Sequence, residues 1–220
     1  MKKRSVALFI SLLITALLLF GCGKKNSEAE SESGVPDSTE APETGHGIPD
    51  DVFEFIDSGV EENIRASLGK PEGFITEEDV KEIETLMLYN ISSDIVELTD
   101  LPGLPKLKEL GVYSDTVTDI TALKHTALVS LTIESSGLTD ITALSDITTL
   151  EELRLERCGI KDISALTGLK GLKMLSLAGC EIEDLTPLLE LEKLEKLDLR
   201  GVKAEIPQEL LDRGIEILTD

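Results

Sequence analysis

Six columns of apolar residues run through this chain at a near-constant interval. Leu107, Leu128, Leu150, Leu172 and Leu194 are 21, 22, 22 and 22 residues apart. Leu110, Leu131, Leu153, Leu175 and Leu197 follow each by three, and Val112, Ile133, Leu155, Leu177 and Leu199 by two more. Val117, Leu138, Ile160 and Ile182, then Ile120, Ile141, Ile163 and Leu185, then Leu123, Leu144, Leu166 and Leu188 complete each unit. A degenerate copy begins at Ile83-x-x-Leu86-x-Leu88, and the last copy departs from the pattern at Ala204 and Pro207. A unit this short cannot bury its leucines alone, so the repeat restricts the fold to an array of stacked coils. In L-x-x-L-x-L the last two apolar residues alternate, which reads as a short strand with one face inward. The D-I-x-x-L stretch returns the chain on the other side. Coils stacked about 4.8 Å apart pair their strands in parallel. The expected fold is α/β: a solenoid with a parallel sheet on the concave face, short turns or 3₁₀ segments on the convex face, and a helical N-terminal cap. The tail Gly214–Leu218 is a candidate last strand. Apolar residues are 41% and aromatics only 3%, with no Trp, which suits a Leu/Ile interior.

Ahead of the repeats lie three further regions. Lys2, Lys3 and Arg4 precede an apolar run from Val6 to Phe20, which ends Leu19-Phe20-Gly21-Cys22. A basic start, a short apolar region and small residues at the cut form a signal-peptide pattern. A helix of this length spans about 22 Å, short of the ~30 Å hydrocarbon core. The Leu-x-Gly-Cys ending resembles a bacterial lipobox. That resemblance implies cleavage after residue 21 and diacylation of Cys22, and two acyl chains suit stable anchoring. Residues 22–47 are rich in Ser, Glu, Pro and Gly and hold one large apolar residue, Val35, so they read as a disordered tether. Its r.m.s. reach is roughly 25–30 Å. Residues 48–82 read as the helical cap, with helices over Asp57–Leu68 and Thr76–Lys81. Ser58-x-x-Glu61 and Thr76-x-x-Asp79 are their capping-box patterns, and Gly69 and Pro71 stop the first. Residues 83–220 hold five to six coils.

The units LPKLKELGVYSDTVTDITALKH, TALVSLTIESSGLTDITALSDI and TTLEELRLERCGIKDISALTGL resemble the leucine-rich repeat family, in its 22-residue internalin-like class. The segment FEFIDSGVEENIRASLGKPEGFIT looks like the N-terminal cap of that class. The resemblance implies a bacterial surface protein that binds a ligand without catalysis. Many internalins continue into immunoglobulin-like or wall-anchoring segments; none follows Asp220 here, which points to a compact lipoprotein. The family often places Asn at the ninth repeat position, where its amide bonds the turn backbone. That column reads here as Asp115, Ser136, Cys158, Cys180 and Val202, so the last coil is expected to be looser. Cys158 and Cys180 fall on adjacent coils and read as structural thiols, with a disulfide or metal pair as the alternative.

The functional classes narrow from here. With 43 acidic against 21 basic residues the net charge is −22, which disfavours nucleic acid, since a phosphate backbone needs a basic footprint. No metalloprotease, serine-hydrolase or phosphate-loop motif is present, so no enzyme and no cofactor are expected. Asp119, Asp140, Asp162 and Asp184 form an acidic ladder. One carboxylate per coil does not supply the six or more oxygens calcium wants, and each Asp can cap its own turn. No metal is therefore expected. His125 aligns with Leu104, Ile147, Leu169 and Leu191 and reads as a tolerated edge residue. What remains is the concave surface. The side chains there, and those that follow each strand, are free of core duty, including the column Asn90, Ser114, Ser135, Arg157, Gly179 and Gly201. Tyr89 and Tyr113, the only two Tyr of the chain, share a column, with Met87 beside them. Next come Glu134, Glu152, Arg154, Glu156 and Arg157, for which a solvated sheet face with Glu and Arg paired across adjacent strands is the other reading. Exposed Tyr, Met and Arg are typical interface anchors, while packing on the cap is the other reading for the tyrosines. The expectation is an extracytoplasmic protein, held on the bacterial cell envelope through lipidated Cys22, whose concave face binds a protein or peptide. The alternative is a non-catalytic envelope scaffold or spacer.

Overall fold

Seven strands pair in parallel in chain order: β1 Thr85–Tyr89, β2 Glu109–Tyr113, β3 Ser130–Glu134, β4 Glu152–Glu156, β5 Met174–Ser176, β6 Lys196–Asp198 and β7 Glu216–Leu218. The computed structural model describes residues 49–220; the expected signal peptide and the Cys22 tether lie outside the described residues. The register sets Leu86, Leu110, Leu131, Leu153, Leu175, Leu197 and Ile217 side by side. Leu88, Val112, Ile133 and Leu155 form the next row. All of these except Ile217 are buried, and they form one continuous core with the convex columns.

The return path is a row of 3₁₀ turns: Leu101–Gly103, Thr121–His125, Thr142–Asp146, Ser164–Gly168 and Thr186–Glu190. Asp119, Asp140, Asp162 and Asp184 each accept the backbone N–H two residues on, at 2.8 Å in all four coils. These bonds hold the carboxyls of Asp140, Asp162 and Asp184 below their ordinary range. The ladder therefore caps turns. One alignment is corrected here. Buried Leu104, Ile147, Leu169 and Leu191 each donate a backbone N–H to the carbonyl three residues back, and Thr126, not His125, does so in its coil. His125 is exposed. That unit is one residue shorter, so a fixed 22-residue frame shifts it by one.

The cap is built from α1 Ser58–Leu68 and α2 Glu77–Val80. Thr76 and Asp79 make the expected capping box. The first helix differs. Its cap is Asp57, not Ser58, and the carboxylate accepts from Gly59 and Val60 at 2.9 Å. The helix ends at Gly69, whose φ of 65° is the left-handed geometry that favours glycine. The same Asp57 carboxylate accepts the backbone N–H groups of Val96 and Glu97, and Asp100 accepts those of Ile56 and Asp57. These bonds, made by two buried carboxylates, fasten the cap to the first coil. Asn63 does the same for the outer edge of β1. Its amide donates to the Tyr89 carbonyl at 2.8 Å and accepts the Tyr89 N–H at 3.1 Å, standing in for a neighbouring strand.

The turn after β2 to β6 exists in two forms. Ser114 and Ser135 lie four residues after Leu110 and Leu131, are buried, and donate to the carbonyls of Ile95 and Val117 on the preceding coil. In the following coils the fourth residue is Arg157, Gly179 or Gly201, all with positive φ (54°, 74° and 79°). The fifth residue then points inward. It is Cys158, Cys180 or Val202. Cys180 donates to the Leu155 carbonyl at 3.1 Å and Cys158 lies 3.7 Å from that of Ile133. Both thiols are free and buried. The neighbouring Cys158 thiol and burial push the Cys180 thiol well up, so it stays protonated and can donate. The inward column is thus Ser114, Ser135, Cys158, Cys180 and Val202. Asp115 and Ser136 lie outside it, exposed and bonded to each other at 2.9 Å. Val202 makes no side-chain bond, being apolar, and is only half-buried. Beyond it a short helix, α3 Gln208–Asp212, follows Pro207, and the tail strand forms as β7.

Candidate functional site on the concave sheet

The parallel register alone brings Tyr89 beside Tyr113. Their rings stack with centroids 4.9 Å apart and planes within 7°. That separation matches the spacing of adjacent strands, so the stack costs no distortion. Tyr89 is 48% exposed and Met87 is 40% exposed. Asn63 fastens the backbone of Tyr89 to the cap and leaves its ring on the surface. Gly111 makes the plate possible. A Cβ there would lie 2.4 Å from the Met87 sulfur and 3.0 Å from a Tyr113 ring carbon. Glycine costs strand stability, and here it gives Met87 and Tyr113 room to lie over the sheet. An apolar plate of Met87, Tyr89 and Tyr113 results at the cap end of the concave face.

Charges are distributed unevenly next to it. Strands β1 to β3 carry Glu109 and Glu134 and no Lys or Arg. Bases begin at Arg154 on β4. Arg154 pairs with no carboxylate among the described residues; its guanidinium donates toward the Met174 sulfur at 3.0 Å, on the β5 side. Arg157 is exposed and its Nη1 donates to Glu134 Oε1. Glu156 accepts from the Ser176 hydroxyl at 3.1 Å. Arg200 pairs with Asp198. Burial pushes the Tyr113 hydroxyl up in pKa; Tyr89, Glu134 and Glu156 add to the rise, and Arg154 works against it. A cavity of about 280 Å³ opens beside the plate, lined by Asn90, Tyr113, Ser114, Asp115 and Glu134.

The residues singled out from the sequence therefore divide into two groups. Met87, Tyr89, Tyr113 and Glu134 form one contiguous patch, with Arg157 attached through Glu134. Arg154 and Glu156 lie on the next strand, half-buried. Cys22 lies outside the described residues. Ser114 and Ser135, which the repeat alone reads as free of core duty, are buried, and so are Ser176 and Asp198 on the concave face of β5 and β6. Two contributors were not found from the sequence. Asn63 acts on a backbone 26 residues away, which no local pattern signals. Gly111 interrupts a strand pattern, and that interruption was a usable signal of close approach.

Among the described residues no helix is long and apolar enough to cross a membrane, and no group of three His, Cys, Asp or Glu is placed to hold a metal ion. A family profile described as leucine-rich repeats (2 copies) matches residues 148–189. No curated protein matches the chain in sequence. Among solved structures, internalin C2 from Listeria monocytogenes superposes with a TM-score of 0.60 at 22% identity, covering 74% of this chain and 93% of that one. An internalin F from the same organism gives 0.56 at 24% identity, covering 74% of this chain and 56% of that one. The leucine-rich repeat ectodomain of the Arabidopsis receptor kinase HAESA, solved with a peptide hormone ligand, gives 0.50 at 24% identity, covering 66% and 28%. The chain is thus a leucine-rich repeat solenoid, similar in fold to the Listeria internalins.

Proposed function

We propose that this is a non-catalytic binding protein of the bacterial cell envelope, whose concave face takes a protein or peptide partner. The observation that carries the reading is the stacked Tyr89–Tyr113 pair with Met87 beside it, Tyr89 and Met87 exposed and Tyr113 half-buried. Three large apolar side chains kept on a sheet face cost solvation, and such patches mark interaction sites. Glu134, Arg154, Glu156 and Arg157 supply the polar border that interfaces use for register. The solved HAESA ectodomain, of the same fold, holds a peptide ligand. Lipidated Cys22 serves as the membrane anchor and residues 22–47 as the tether; the residues that support this are the basic start, the apolar run and Leu19-Phe20-Gly21-Cys22.

Two experiments test these proposals. Immobilised protein is offered envelope, secreted and host-surface extracts, beside a folded variant with Tyr89→Ala, Tyr113→Ala and Arg154→Glu. A partner retained by the parent and lost by the variant is the expected result. A partner retained equally by both moves the interface elsewhere, and no partner from any extract favours the scaffold reading. Separately, Cys22→Ser is expected to release the protein from membranes into the soluble fraction. Full membrane partitioning of that variant would remove the lipid-anchor proposal.

A further inference from the structure

The sheet puts carboxylates next to one side of the tyrosine plate. Tyr113 has the Tyr89 ring on one side, and in the strand register its neighbour on the other side is Glu134. Asp115 and Glu134 line the cavity that opens there, together with the Tyr113 ring. No basic residue lies on the three strands that floor this region. A cation placed there would meet an aromatic ring and a carboxylate at once, a pairing that suits a guanidinium or ammonium group.

Arg157 strengthens the case. It is the only residue other than glycine with positive φ among the described residues, at 54°. The equivalent turns use Gly179 and Gly201. A side chain in that conformation is disfavoured, and none is needed to complete the turn. Its guanidinium reaches back across a coil to Glu134, although its side chain is 76% exposed. The turn therefore carries a residue it does not want, whose charged end sits on the carboxylate of the recess.

Resting on the concave-face reading, we propose that the recess between Tyr113, Asp115 and Glu134 is a subsite for an arginine or lysine side chain of the partner, and that Arg157 is a resident cation the partner displaces from Glu134. The partner segment is accordingly basic at the cap end of the face. Arg157 screens Glu134 while the site is empty, and the incoming cation replaces that pair with one that also contacts the ring.

The chain lends itself to a direct test, because Tyr89 and Tyr113 are its only tyrosines and it has no Trp. Intrinsic tyrosine emission of the full chain thus reports this site alone. The probe is N-acetyl-arginine amide; N-acetyl-citrulline amide, its uncharged isostere, is the control, at matched ionic strength. A saturable change with arginine and none with citrulline is expected. Arg157→Gly, which supplies the residue of the sister turns, is expected to tighten the response about two- to fivefold by removing a surface ion pair. Glu134→Gln is expected to weaken it about tenfold. Equal responses to both probes, or no change in either variant, would overturn the proposal. The extracts separate this from the broader reading: a partner that Tyr89→Ala with Tyr113→Ala abolishes, but that Glu134→Gln and Arg157→Gly leave unchanged, keeps the concave interface and removes the cation subsite.

Discussion

Leu155→Ala is expected to lower the unfolding free energy by about 2–5 kcal/mol, read by urea denaturation. Leu155 is fully buried on β4, with Ile133 beside it in the strand register. Truncation removes its transfer energy and leaves a cavity that stacked coils cannot close, because each is pinned by strand pairing on both sides. The loss is a large share of the 5–15 kcal/mol that holds a typical domain together. It also has a spatial signature. In a solenoid each coil touches only its neighbours, so a lesion in the middle weakens the coupling between the two ends. Amide exchange in β5 to β7 is expected to accelerate more than in α1 and β1. A loss under about half a kcal/mol would mean that Leu155 does not occupy the core.

Asp57→Ala has the second largest expected effect, about 3 kcal/mol, although the residue is not a member of the apolar core. Its carboxylate accepts four backbone N–H groups, two opening α1 and two from the loop after β1. The substitution leaves four donors unpaired, the two of Gly59 and Val60 buried and the two of Val96 and Glu97 part-buried, and a buried donor left unpaired costs about 1–3 kcal/mol before relaxation and water entry. It also undoes the helix cap. Burial pushes the Asp57 carboxyl up, but the four donors together outweigh it and hold the group below its ordinary value. The sign of the pH effect follows. A depressed native value gives stability that is fully present above the unfolded-chain value of about 3.9. That stability is lost as the pH falls through the lower native value. The gap between parent and Asp57→Ala, measured by denaturation at several pH values, is expected to be constant near neutrality and to narrow in acid. A gap that stays constant into strong acid would show that the carboxylate charge is not what holds the cap.

The three strand-side apolar columns were legible because the coil repeats them without exception on β2 to β6, and burial follows the spacing almost residue by residue. The stacked tyrosines were legible for the same reason, since parallel register turns equal repeat positions into neighbours. The turn column was not. Ser114 and Asp115, or Ser135 and Ser136, are equally able to bond a carbonyl, and which one faces inward depends on the backbone of the residue before it. Gly179 and Gly201 carried that information and Arg157 hid it. His125 and Thr126 were exchanged because one coil is a residue short. Asn63 was out of reach, since it recognises a main chain and not a side chain.

The two turn forms also bear on how such an array could be lengthened or cut. Coils β4 to β6 close through a left-handed residue followed by an inward side chain, while β2 and β3 close one residue earlier. A duplicated or deleted coil joins smoothly only where both of its new neighbours close in the same way. The β5 coil is flanked by two of its own kind and is the interchangeable unit. The junction between β3 and β4, where Arg157 sits, is a splice between two gauges of coil, and a change in coil number there would have to convert one gauge into the other.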